Sequence, residues 1–339
     1  MKNTNSQLYN YLLKSKKKFK SNININKEIK IYLGKSFKRN TKTFPINFLT
    51  QIKIVKKISN NVLIVKNLND LIQEFKKKKK ILFLVTKISL ASFNKIYPEF
   101  KKDQFFVFYE DINTGKELKK LIANVKKKKC NIVCIGGGKV ADLAKFISYK
   151  SNSLLLTIPT ILATHVYASK KIHVLKPIKD LGYSLTIDGK SSDLSLIDLK
   201  IIKFNYLINK RFFLSGMGDL MAFYNAKLDW QLSTRFKEKK YSFALIVIRK
   251  VEKILEKINI NGSIEKWLED YIFAQVLLCD LTDWVGSAPA SGSEHFFANI
   301  YEKKYPNNIL HGELVAFGTL FFRYVRNHNF KKIIILMNK

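Results

Sequence analysis

Three short segments in the second half of the chain place an acidic or imidazole side chain beside small residues. They are SGMGD, which ends at Asp219, SGSEH, which ends at His295, and LHGE, which contains His311. The small residues predict that each group lies near the start of a helix. One carboxylate and two imidazoles suit a catalytic divalent ion with open coordination positions better than a closed structural site. We therefore predict that Asp219, His295 and His311 bind one metal ion.

Each of these residues also has an ordinary interpretation. A lone histidine near a helix start is more often a cap or a surface residue, and Asp219 alone would be an acid at a helix N-terminus. The chain has only five histidines, however, and two of them lie in glycine-flanked turns next to an acidic residue. That coincidence favours the metal site.

A strand, a glycine turn and a helix follow one another over residues 131–145. Glycine permits a positive φ and lets a phosphate approach the backbone closely, and the helix start offers free N–H groups and the positive end of the dipole. We predict that Gly136, Gly137 and Gly138 hold the pyrophosphate of a dinucleotide, although a glycine triplet alone also fits a plain tight turn. The strand over 154–158 ends at Pro159-Thr160, so Thr160 is placed to donate to a phosphate or a ribose.

The elements that must position these residues differ between the two halves of the chain. Strand-sized apolar runs at 62–65, 81–85, 105–109, 132–135 and 154–158 alternate with amphipathic segments such as 68–75 and 115–125, which predicts a parallel sheet buried by helices on both faces. Helical periodicity dominates later, at 218–232, 241–258, 263–284, 293–301 and 311–326. We predict a basic N-terminal extension over 1–50, with a short helix near 8–13. An α/β dinucleotide-binding domain over 51–200 and a helical metal-binding catalytic domain over 201–339 follow it.

The formal net charge of +35 suggests an anionic partner, but its distribution does not. The lysines are scattered or lie in runs next to predicted strands, where helix ends and loops belong, and no arginine–aromatic pattern marks a base-stacking surface. We expect weak non-specific binding to nucleic acid and no specific nucleic-acid function. The three cysteines form no C-x-x-C pair, and no apolar run reaches the ~18 residues of a membrane span. These features predict a cytoplasmic protein that is not inserted in a membrane.

Four motifs resemble the superfamily of iron-containing alcohol dehydrogenases, glycerol dehydrogenases and dehydroquinate synthases, and within it the glycerol-1-phosphate dehydrogenase family. They are IGGGKVADLAK (135–145), IPTILATHVYAS (158–169), SGMGDLMAFYNAKLDW (215–230) and SGSEHFFANIYEKKYPNNILHGELVAFG (291–318). The resemblance spans residues 52–335 and is weak before 130. It implies the dehydroquinate synthase-like fold, with an α/β nucleotide-binding domain followed by an all-α metal-binding domain.

The resemblance also implies roles for individual positions. It assigns the metal to the same three residues and the pyrophosphate to the same glycine turn. It adds Asp142, Thr160 and Ser169 as residues on the cofactor side. The implied reaction is the reduction of dihydroxyacetone phosphate to sn-glycerol 1-phosphate with NADH or NADPH and usually zinc, with iron and nickel as alternatives. A small phosphorylated substrate and a homo-oligomer are therefore expected.

The chain departs from the family pattern at three places. His165 stands where the family has an aspartate near the substrate hydroxyl, and we expect His165 to relay a proton instead, since its ordinary pKa lies near neutrality. Lys170 and Lys171 replace a usual arginine and are candidates for binding the substrate phosphate. The helices that typically end the family's metal domain are not found before Lys339, which predicts a short metal domain.

Three other interpretations are open at this point. The first is a dehydroquinate synthase-like cyclase, but residues 167–174 lack its expected loop and Asp219 stands where it needs a glutamate. The second is a degenerate homologue that binds without catalysing, motivated by His165 and the short C-terminus. The third is another polyol or alcohol dehydrogenase of the superfamily. The choice between NAD and NADP is equally open, with Glu110 and Asp111 as candidates for reading the ribose.

Overall fold

The computed structural model describes residues 54–337 apart from 60, 78–79, 102–104, 113, 175–184, 233–239, 306–308 and 330. The predicted extension over 1–50 and its helix near 8–13 lie outside the described residues. The strands are β1 Ile54–Lys57, β2 Val62–Val65, β3 Ile81–Val85, β4 Phe105–Phe108, β5 Asn131–Gly136, β6 Leu155–Pro159, β7 Lys171–Val174, β8 Leu185–Asp188 and β9 Leu194–Asp198.

Helices separate most of the strands, and after Asp198 the elements of the described residues are all helices. They are α1 Asn69–Lys77, α2 Lys87–Ile96, α3 Gly115–Lys128, α4 Gly138–Ser151, α5 Leu199–Ile208, α6 Lys210–Leu220, α7 Phe223–Leu232, α8 Lys240–Lys257, α9 Ile264–Val285, α10 Ser293–Lys304, α11 His311–Val325 and α12 Lys331–Met337. Among the described residues, none of these helices is both long and apolar enough to cross a bilayer.

Seven strands form one sheet in the order β1-β2-β9-β6-β5-β3-β4, and β7 pairs with β8 in a separate antiparallel hairpin. All neighbours in the large sheet are parallel except β1, which runs antiparallel to β2 at one edge. Strands β2, β3, β6 and β9 are buried along their whole length, because helices cover both faces. The predicted α/β domain followed by a helical domain is confirmed.

One predicted element is wrong, and several observed elements were not predicted. The segment 218–232 is not one helix: α6 ends at Leu220 and α7 begins at Phe223. Strands β1 and β9, the β7–β8 hairpin and helices α2 and α5 were not predicted. The consequence for the site is that Asp219 lies in the last turn of α6 rather than at the start of a helix.

Two helix packings decide where the site forms. Helix α4 begins directly after β5 and packs on β5 and β7, so its N-terminus lies at the carboxyl edge of the sheet. Helix α11 packs against both α6 and α10 in the second half. A hydrophobic core that contains residues of α6 and α11 also contains residues of β2 and β9, which joins these two helices to the sheet.

Candidate metal and cofactor site

The three predicted metal ligands converge although they come from three helices. Asp219 lies at the C-terminal end of α6, His295 in the first turn of α10, and His311 is the first residue of α11. One ligand atom from each lies within 4.8 Å of the others. Both histidines stand at helix starts as predicted, whereas the aspartate does not.

Glycines explain how α6 and α11 come close enough for this convergence. A Cβ atom on Gly218 would lie 2.2 Å from the carbonyl oxygen of Gly312, and one on Gly312 would lie 1.7 Å from that of Ser215. Any side chain at either position would force the two backbones apart. The Ser215 hydroxyl also accepts the Gly312 N–H at 3.2 Å, which fixes the crossing. The glycines that were predicted to mark helix starts therefore allow two helices to pack closely.

The two oxygens of Asp219 face different partners. Oδ1 lies 3.2 Å from Nε2 of His295 and 3.9 Å from Nε2 of His311. Oδ2 lies 3.4 Å from Nδ1 of His165, which is an ion-pair distance without the geometry of a hydrogen bond. His165 thus stands beside the triad, at the carboxylate oxygen that the two other imidazoles do not face.

Exposure of the side chains shows which way the cluster opens. The exposed fraction rises from 6% for Asp219 to 16% for His295 and 34% for His311. His165 is 24% exposed. An ion held by the triad would therefore be buried on the Asp219 side and accessible on the other, which is the geometry of a catalytic metal with an open coordination position.

Ionisation of the cluster suits a cation. Burial alone would raise the pKa of Asp219, but the neighbouring imidazoles of His165 and His295 hold it well below its ordinary value. Burial also opposes the imidazolium of His295, but Asp219 and Glu294 outweigh it and raise the pKa of His295 to about 9. The two carboxylates thus favour a positive charge between them, which is the imidazolium of His295 in the metal-free protein and which a bound metal ion would replace.

The residues present fit a divalent metal. Two imidazole nitrogens and one carboxylate oxygen are ligands that zinc, iron and nickel all accept. Within the described residues, this is the one group of acidic, histidine and cysteine side chains close enough to hold an ion.

The glycine turn lies at the carboxyl edge of the sheet. Gly136 ends β5, Gly137 caps α4 and Gly138 is its first residue. Gly137 has a φ of −89°, and none of the three glycines is in the left-handed region. The turn therefore does not use the positive φ that glycine permits. Glycine instead provides space: a Cβ on Gly136 would lie 2.2 Å from Cγ1 of Val140, and one on Gly138 would lie 3.0 Å from Oγ1 of Thr164.

Of the three other predicted cofactor residues, Thr160 contacts this turn. The buried Thr160 directly follows β6 and donates its N–H to the Gly136 carbonyl at 3.1 Å, so the two strand ends are joined. Asp142 lies in α4, is buried, and pairs with Lys145 at 2.9 Å. The hydroxyl of the buried Ser169 accepts the N–H of Lys171 at 3.0 Å. The structure thus brings Thr160 to the turn, while Asp142 and Ser169 have partners within the chain.

Comparison with known proteins identifies the family. Residues 57–202 match the family described as iron-containing alcohol dehydrogenase. A glycerol-1-phosphate dehydrogenase [NAD(P)+] of Sulfurisphaera tokodaii is 30% identical over 260 residues, which cover 73% of this chain and 70% of that protein. The enzyme of the same name from Sulfolobus acidocaldarius is 32% identical over 250 residues, covering 71% and 67%. The chain belongs to the glycerol-1-phosphate dehydrogenase family. The family predicted from the four motifs is thereby confirmed.

Solved structures agree on the fold of this family member. A glycerol dehydrogenase from Schizosaccharomyces pombe superposes with a TM-score of 0.60 at 19% identity, covering 81% of this chain and 73% of that one. A probable glycerol dehydrogenase from Sinorhizobium meliloti gives 0.59 at 19% identity, with coverages of 82% and 80%. At this level of identity the likeness concerns the fold alone.

Three of the basic and acidic candidates outside the triad have internal partners in this family member. Nζ of Lys170 donates to the Asp283 carbonyl at 3.0 Å, and Nζ of Lys171 pairs with Asp188 at 2.6 Å. Glu110 accepts the N–H of Lys87 at the start of α2 at 3.1 Å. A phosphate or ribose that bound to these groups would therefore compete with existing contacts.

Sequence reasoning missed two carboxylates that contact the predicted metal ligands. Oε1 of Glu294 lies 3.0 Å from Nδ1 of His295, and Oε1 of Glu302 lies 3.1 Å from Nδ1 of His311. Glu294 directly precedes His295 in the sequence, which was a usable signal. Glu302 is nine residues from His311 along the chain, and only the packing of α10 on α11 brings the two together.

Proposed function

We propose that the protein reduces dihydroxyacetone phosphate to sn-glycerol 1-phosphate, using NADH or NADPH and one divalent metal, with zinc as the ion. The observation that carries the proposal is the convergence of Asp219, His295 and His311. Membership of the family supports the same activity, since the relatives named above are glycerol-1-phosphate dehydrogenases that use NAD(P)+.

Different residues of the chain have different roles in this proposed reaction. A metal ion bound by the triad supplies a Lewis acid that polarises the substrate carbonyl. The N-terminus of α4 and the Gly136–Gly138 turn bind the cofactor pyrophosphate and orient the nicotinamide. His165 lies beside Asp219 and would donate the proton that the substrate oxygen takes up on reduction.

The donor set also favours zinc within this proposal. Two neutral imidazoles and one carboxylate with an accessible position are a recurrent ligand set of catalytic zinc. Iron and nickel accept the same ligands, so the metal must be identified directly. Elemental analysis of the purified protein, followed by reconstitution with each ion, measures the preference.

The assay follows oxidation of NADH and NADPH by the zinc-loaded protein with dihydroxyacetone phosphate, dihydroxyacetone and a sugar ketone in parallel. We expect turnover with dihydroxyacetone phosphate, which is lost in Asp219→Asn together with bound metal. Asp70→Asn, an exposed acid in the first turn of α1, is the matched control and should keep both. Full turnover by Asp219→Asn would refute the metal site, and turnover with the unphosphorylated ketones alone would refute the substrate.

A further inference from the structure

Glu294 is buried, and both oxygens of its carboxylate have polar partners. Its side chain is 0% exposed. Oε1 accepts the N–H of Gly292 at 2.6 Å and faces Nδ1 of His295 at 3.0 Å. Oε2 accepts from Nδ2 of Asn225 at 2.6 Å. A buried carboxylate with three donors around it has one orientation, and it imposes that orientation on the imidazole beside it.

The orientation matters because it fixes which nitrogen of His295 is free. When Nδ1 carries the proton and donates it to Glu294, the lone pair resides on Nε2. Nε2 is the atom that lies 3.2 Å from Oδ1 of Asp219 within the triad. A carboxylate behind a metal-binding imidazole sets its tautomer and direction and increases its basicity.

A polar network extends from Glu294 through α7 to the end of α11. Asn225 and Asp229 lie one turn apart on α7, and Nδ2 of Asn225 also contacts Asp229 and Ser293 at 3.2 and 2.9 Å. Nη1 of Arg326 donates to Oδ1 of Asn225 at 2.7 Å, and Nη2 donates to Asp229. The guanidinium fixes the amide of Asn225 so that its NH2 group faces Glu294, because a flipped amide would turn its carbonyl toward two carboxylates.

The start of α10 depends on the same network. Its N-cap residue, Gly292, has no side chain, and the carboxylate of Asp229 takes that role by accepting the Ser293 N–H at 2.8 Å. A Cβ on Gly292 would lie 2.3 Å from Oδ2 of Asp229 and 3.1 Å from Oε2 of Glu294. The glycine therefore leaves room for both carboxylates at the helix start that carries His295.

We propose that Glu294 is a positioning residue for the metal centre, and that Asn225, Asp229 and Arg326 hold it in place. The inference rests on the proposed metal site. Glu302 gives the internal comparison: it faces Nδ1 of His311 at a similar 3.1 Å, but its side chain is 37% exposed. Since water competes with an exposed pair, Glu302 contributes little to the direction of its imidazole.

The test compares Glu294→Gln with Glu302→Gln by titration with Co²⁺. The visible absorption of bound Co²⁺ reports coordination geometry, and competition with a chelator gives the affinity. Glutamine at 294 cannot satisfy both neighbours in either orientation of its amide. Its NH2 group faces either the NH2 group of Asn225 or the Gly292 N–H, so a donor meets a donor. We expect Co²⁺ affinity to fall about 10- to 100-fold with an altered spectrum. For Glu302→Gln we expect a fall of at most about fivefold.

Controls separate this inference from folding and from the metal site itself. Circular dichroism and the melting temperature of each metal-free variant check folding, and if Glu294→Gln does not fold, the partly exposed Arg326→Gln carries the same test. Wild-type affinity and spectrum in Glu294→Gln, or in Arg326→Gln where it stands in, would overturn the positioning role while leaving the metal site intact. Absence of Co²⁺ binding by the wild-type protein would overturn the metal site and the inference with it.

Discussion

Replacing Gly312 by alanine should separate α6 from α11 and disable metal binding. The added Cβ would lie 1.7 Å from the Ser215 carbonyl oxygen, whereas ordinary contact begins at 3.4 Å. The obstacle is backbone rather than a flexible side chain, so the helices must part by about 1.7 Å if separation alone relieves the clash. Metal–ligand distances tolerate only about 0.2 Å. Asp219 and His311 stand on the two helices that part, so their shared site is disrupted.

The expected magnitudes follow from these distances. Overpacking of this kind costs about 1–3 kcal/mol of the free energy of unfolding. Zinc affinity should fall by more than about 100-fold, since the change exceeds the loss of a supporting hydrogen bond. Denaturant unfolding of the metal-free protein and zinc competition with a chelator measure the two effects. Gly262→Ala is the matched control, because its Cβ would meet one loop residue, Asn259, with the carbonyl oxygen nearest at 3.2 Å. Wild-type zinc affinity in Gly312→Ala would refute the assignment of the crossing as the element that builds the site.

Two further predictions concern the α/β domain. Lys145→Met should lower the free energy of unfolding by about 3–5 kcal/mol, since it leaves the buried carboxylate of Asp142 without its cation; the exposed Lys150→Met should change it by less than about 0.5 kcal/mol in the same denaturant titration. Burial raises the pKa of Asp198 despite a 2.6 Å hydrogen bond from Tyr97. The stability that this group contributes is present below its unfolded pKa of about 3.9 and is lost as pH rises through the folded value. Tyr97→Phe removes a donor to the carboxylate, so its cost should grow as the pH rises above about 4 and Asp198 ionises; a cost independent of pH in urea unfolding would contradict this.

The bounds of strands were predicted best where every residue of the strand is buried. Strands β2 and β3 match the predicted ranges to the residue, because both faces are buried and the apolar run has sharp ends. Strand β1 was missed because all four of its residues are exposed and it pairs at the sheet edge, so no apolar run marks it. Long-range pairing, rather than local preference, creates that strand.

The candidate site was predictable in its members but not in its geometry. Motifs gave Asp219, His295 and His311, yet the glycines around Asp219 suggested a helix start. Gly218 instead lies inside α6, where it admits the backbone of α11. Nothing local distinguishes a glycine that begins a helix from one that another helix approaches, so tertiary packing decides. The assigned roles of the site residues and the predicted homo-oligomer stay predictions.

The three metal ligands also have a consequence for chain topology. Asp219 and His295 are 76 residues apart in sequence, so an ion bound by both closes a loop that contains α7, α8 and α9. A covalent link spanning that length would reduce the entropy of the unfolded chain by the equivalent of about 4–5 kcal/mol at room temperature. Metal uptake would thus act as a reversible cross-link. Hydrogen exchange that reports opening of the helices inside this loop should slow on metal loading, although none of them contributes a ligand.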